Sequence, residues 1–110
     1  MKHIGIWLIS VVCIVGLNTA RADEGETIFK SIGCMSCHKK ESTSKVNPSL
    51  TEISMAYQGK EAQLAKYLKG ESEAIVRPEK ASLMKRHIEK TKKLSDADRK
   101  ALTDYLLRQQ

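Results

Sequence analysis

The chain has 110 residues, enough for one domain and not two, with 19 Lys/Arg against 13 Asp/Glu and a net charge of +6. The basic excess does not point to nucleic acid, because the few aromatic residues are not interleaved with the basic ones.

The first 22 residues read as a cleavable secretory signal peptide. Lys2 and His3 precede an apolar run from Ile4 to Leu17, and Ala20-Arg21-Ala22 places small residues where a signal peptidase cuts. The run is short of the ~20 residues a membrane-crossing helix needs, which leaves an uncleaved anchor as the lesser alternative. Cys13 lies in this segment, and Val11-Val12 before it is a poor lipoprotein processing site. Cleavage after Ala22 leaves residues 23–110 as the mature domain. Losing Lys2 and Arg21 lowers the basic count from 19 to 17 against 13 acidic residues, net +4. Export implies a periplasmic, oxidising location.

Asp23-Glu24-Gly25-Glu26 resembles a capping box with Asp23 as N-cap, followed by a helix carrying Ile28, Phe29 and Ile32 and stopped by Gly33. Next comes Cys34-Met35-Ser36-Cys37-His38. Two thiols at this spacing, with a histidine directly after the second, form a c-type haem attachment signal: Cys34 and Cys37 as thioethers, His38 as an axial ligand of the iron. A free cysteine pair in an oxidising compartment would otherwise close as a disulfide. Covalent haem also serves as the staple that so small a core needs.

Lys39 to Asn47 is polar and aperiodic, a loop punctuated by Pro48. Ser49-Leu50-Thr51-Glu52 is a second capping box, opening a helix with Leu50, Ile53 and Tyr57 on one face. Gly59 separates it from a helix at Lys60 to Lys69, with Gly70 beyond its end. Pro78 suits the start of a short helical segment ending near Met84. Lys85 to Lys93 is basic and reads mostly as loop. Ser95-Asp96-Ala97-Asp98 caps a final helix with Ala101, Leu102, Tyr105 and Leu106 at helical spacing. The class is all-α.

The second axial position has three candidates. Met35 is excluded because it lies between the thioether cysteines. Met55 sits inside a helix and reads as core packing. His87, which would give bis-histidine ligation, reads as a solvated side chain beside Arg86. Met84 is favoured, since the path from His38 is long enough to wrap the macrocycle and a thioether raises the potential of a His-bound haem.

These motifs resemble class I c-type cytochromes of the small bacterial monohaem type, the c551/c555 group. Gly25 and Phe29 match the Gly-x-x-x-aromatic pattern of that family's first helix, and Tyr105 matches the aromatic of its last. Asn47-Pro48-Ser49-Leu50 is similar to the family's Gly-Pro-x-Leu segment, and Met84 falls where its axial methionine falls. The resemblance implies a small cytochrome c fold of four to five short helices around one covalently attached haem c. It also implies that the Pro48 carbonyl accepts a hydrogen bond from His38. Asn47 in place of glycine, and Lys85-Arg86 where many members have proline, are departures from the pattern.

With both axial positions filled, the expected function is outer-sphere electron transfer by a monomer between redox partner proteins, not catalysis. Phe29, Leu50, Ile53, Leu64, Leu68, Leu83, Leu102 and Tyr105 are the expected packing around the haem. Two basic runs, Lys39, Lys40 and Lys45 and then Lys85, Arg86, Lys90, Lys92 and Lys93, are expected to face acidic partners. The alternatives are an open or bis-histidine sixth site, as in a sensor or peroxidase-like protein, a zinc module using Cys34, Cys37, His38 and His87, or a thiol-redox module using Cys34 and Cys37.

Overall fold

A computed structural model describes residues 17–109, with side chains from Asp23 onward; most of the expected signal segment lies outside the described residues. Helix α1 is Leu17–Ser31, α2 Leu50–Ala56, α3 Glu61–Leu68, α4 Lys85–Lys92 and α5 Asp96–Leu107, with 3-10 turns at Cys34–Ser36 and Pro78–Met84. The described residues contain no strand, and the expected all-α class is observed.

Helix α1 does not start at Asp23. Leu17, Ala20, Arg21 and Ala22 are good helix formers with no breaker among them, so the helix runs through Asp23, whose carbonyl accepts the Thr27 hydroxyl at 3.0 Å. At the other end Gly33 takes a left-handed conformation (φ 86°), which only glycine adopts without strain, and turns the chain into the cysteine motif.

Helices α1 and α5 cross closely at Gly25. A Cβ on Gly25 would lie 2.2 Å from the Ala101 carbonyl oxygen and 2.6 Å from Tyr105 Cβ, so glycine is needed for the approach. One turn on, Phe29 and Tyr105 rings meet with centroids 5.4 Å apart, tilted by 52°. Leu50, Tyr57, Leu64, Leu68, Leu102 and Leu106 join Phe29 in the buried core.

Ser49 caps α2, its hydroxyl accepting the Glu52 amide at 3.0 Å. Helix α3 keeps the expected bounds within one residue at each end. The segment after Met84 differs from the expected loop: it is helix α4. Lysine and glutamate favour helix, and Ile88 and the fully buried Thr91 fall on its inner side. Thr91 donates its hydroxyl to the Leu68 carbonyl and so ties α4 to the end of α3.

Candidate haem site

The helices enclose an apolar cavity of about 310 Å³, within the ~300–1,000 Å³ typical of small-molecule and cofactor sites. Cys34, Cys37 and His38 line it, and so does Met84, brought there from 46 residues further along the chain than His38. Phe29, Ile53, Leu64, Leu68, Leu83 and Leu102 supply apolar walls, as expected. Leu50 and Tyr105 do not reach it; they sit behind His38 beside a shallower depression with Lys39 and Lys40.

The motif is shaped locally. Gly33 is followed by a tight 3-10 turn in which the Cys37 and His38 amides both donate to the Cys34 carbonyl, at 3.3 and 3.0 Å. This curl keeps both thiols and the imidazole beside one cavity. His38 is buried, and its Nδ1 lies 2.8 Å from the Pro48 carbonyl oxygen. A carbonyl can only accept, so Nδ1 carries the proton and Nε2 of the neutral ring keeps its lone pair. Leu50 and Thr51 amides donate to the Lys39 and Lys40 carbonyls, which folds the 39–49 loop back and sets Pro48 against His38. Asn47 has no positive φ, so the backbone does not call for glycine there.

Burial pushes the Cys34 thiol up to about 11. A redox-active thiol needs the opposite shift, toward thiolate, so this environment does not suit a disulfide oxidoreductase. Among the described residues no three His, Cys, Asp or Glu side chains come together as a metal cage. The chemistry the lining does suit is a large apolar group with two thiol attachment points and an imidazole donor.

Two expectations about single residues are corrected. Met55 is not core packing: it is 64% exposed, because Leu50, Ile53, Ser54 and Tyr57 turn the opposite side of α2 inward. His87 is not a solvated loop residue. It lies on α4, lines the cavity and keeps Nδ1 buried without a hydrogen-bond partner. Its pKa is lowered, first by burial and then by the positive charges of Lys90 and Arg86.

Sequence reasoning missed Arg77, Lys80, Tyr57 and Tyr67 as lining residues. Tyr57 falls at helical spacing with Leu50 and Ile53, and Tyr67 with Leu64, but spacing alone does not bring the two to one surface. Arg77 adopts the left-handed region (φ 46°) and pairs with Glu52, and nothing in the local sequence signals this.

The cytochrome c family model matches residues 22–110, and the chain belongs to the cytochrome c family. Comparison with curated proteins returns no significant match. The family binds covalently attached haem c, with Cys34, Cys37 and His38 in the position of its attachment motif. Its members usually act as electron carriers that exchange electrons with redox partners.

Proposed function

We propose that this chain is a periplasmic monohaem cytochrome c that shuttles single electrons between protein partners, with His38 and Met84 as the two axial ligands. The observation that carries this reading is that Met84, 46 residues beyond His38, lines the same apolar cavity as Cys34, Cys37 and His38.

Bound haem supplies an iron that cycles between ferrous and ferric states. The protein's part is to fix and tune it. Cys34 and Cys37 hold the ring covalently. Pro48 orients His38 and makes it a stronger donor by accepting a hydrogen bond from its Nδ1–H. The Met84 thioether favours the reduced state, and the apolar walls disfavour extra charge on the metal, so both raise the potential. Two protein ligands close the iron to small oxidants.

Residues 1–22 act as a signal removed after Ala22, giving a monomeric mature chain that starts at Asp23; intact mass of the purified protein reads this directly. The short helices and the position of Met84 resemble the c551/c555 group. The basic run on α4 lies beside the attachment motif, where Lys90 Nζ is 3.5 Å from the Ile32 carbonyl. With Lys39 and Lys40 it forms the docking face for acidic partners.

The ligand assignment is tested by two methionine variants. Met84→Ala loses the methionine–iron charge-transfer band and lowers the potential, while Met55→Ala keeps both. The reverse pattern would overturn the assignment.

A further inference from the structure

Two buried side-chain polar atoms among the described residues lack a hydrogen-bond partner, Tyr57 Oη and His87 Nδ1, and both residues line the haem cavity. The Tyr57 hydroxyl has the Ile75 backbone beside it. For His87 no such neighbour accounts for the buried nitrogen. An imidazole nitrogen left unsatisfied at an apolar wall is destabilising unless it serves a ligand.

His87 follows Met84 by three residues, so the two side chains leave the chain on adjacent turns of the same side, and both reach the cavity. They are held very differently. Met84 ends the 3-10 turn Pro78–Met84, which contains no buried residue. His87 belongs to α4, which is pinned four residues later by the buried Thr91 and its bond to Leu68. The junction between 3-10 turn and α-helix falls at Met84–Lys85, a place where helical segments commonly hinge. Met84 can therefore withdraw without disturbing the core, while His87 stays in place.

We propose that His87 is a reserve axial ligand, which takes the iron when the Met84 thioether leaves it. This rests on the His38/Met84 reading above. In the exchange one iron–sulfur bond breaks and one iron–nitrogen bond forms, with no change in oxidation state. Nitrogen ligation favours ferric iron and the thioether favours ferrous, so the exchange is easiest in the oxidised protein and gives it a second, lower-potential form.

The test uses ferric holoprotein at neutral pH, read by electron paramagnetic resonance and absorption. Met84→Ala should lose the methionine band yet remain low-spin, and adding His87→Ala should convert it to a high-spin species. His87→Ala alone should keep the methionine band. A high-spin spectrum from Met84→Ala alone overturns the reserve role of His87 and leaves the His38/Met84 reading standing. A Met84→Ala spectrum identical to the wild type overturns both. Should that variant not accumulate with haem, carboxymethylation of the Met84 sulfur in wild-type holoprotein removes the same ligand and is read the same way.

Discussion

Arg77 and Glu52 join two walls of the haem cavity through a fork-to-fork ion pair, with Nη2 2.8 Å from Oε2 and Nε 3.2 Å from Oε1. The remaining nitrogen, Nη1, donates to the Ser44 carbonyl at 2.7 Å and so holds the loop that leads to Pro48. Arg77 does this from a left-handed backbone, a conformation that costs a non-glycine residue ~1–2 kcal/mol.

These two contributions separate by mutation. Glu52→Ala should lower stability by about 1 kcal/mol, a modest figure because the glutamate is partly exposed and its charge is screened. Arg77→Gly should be less destabilised than Arg77→Ala, since glycine loses the pair but not the left-handed turn. Guanidinium unfolding midpoints of the three variants check both statements.

The α1–α5 crossing depends on Gly25. A methyl group there meets the Ala101 backbone oxygen, which cannot rotate away as a side chain can. Gly25→Ala should therefore cost ~1–3 kcal/mol, as overpacking does, despite alanine's better helix propensity. A thermal melt that is unchanged or raised would show that the helices separate without penalty.

Arg99 is a buried arginine with a structural task. Its Nη1 donates to the carbonyls of Thr91, Lys92 and Leu94, at 3.3, 3.3 and 2.8 Å, where α4 ends and its carbonyls lack partners within the helix. Its charge also suits the negative end of α4. Arg99→Met should cost ~1–3 kcal/mol by taking the guanidinium donor from the part-buried Lys92 and Leu94 carbonyls, and Arg99→Lys should fall between, since a lysine lacks the planar fork. Chemical denaturation of the holoprotein measures the order.

Docking through Lys39, Lys40, Lys85, Arg86 and Lys90 predicts electron-transfer rates to an acidic partner that fall as salt rises. Charge reversal at Lys39 and Lys90 should slow the reaction at low ionic strength and matter little at high. Stopped-flow rates insensitive to salt would contradict it.

Much of this was legible in the chain. Gly33, Ser49, Ser95 and the Cys34-to-His38 run act through local chemistry, so their roles follow from neighbouring residues. Helix α4 was not legible, because its inner side carries only His87, Ile88 and Thr91 among charged residues, and Thr91 counts as inward only through its bond to Leu68. The same scarcity of apolar residues hid His87. Asp23 misled in the other direction: the sequence pattern around it is that of an N-cap, but the preceding residues continue the helix and Asp23 lies inside it. Arg77, Glu52 and Ser44 meet only because the loop and the approach to the 3-10 turn fold together, a tertiary fact that no local pattern encodes.

The central claim is that the haem iron is closed on both sides by His38 and Met84. Absorption spectra of the ferrous holoprotein before and after carbon monoxide test it most directly. The account predicts a sharp reduced α-band that carbon monoxide leaves unchanged at neutral pH. Prompt conversion to a carbon monoxide complex would mean an open site, and with it a sensor or enzyme in place of a carrier.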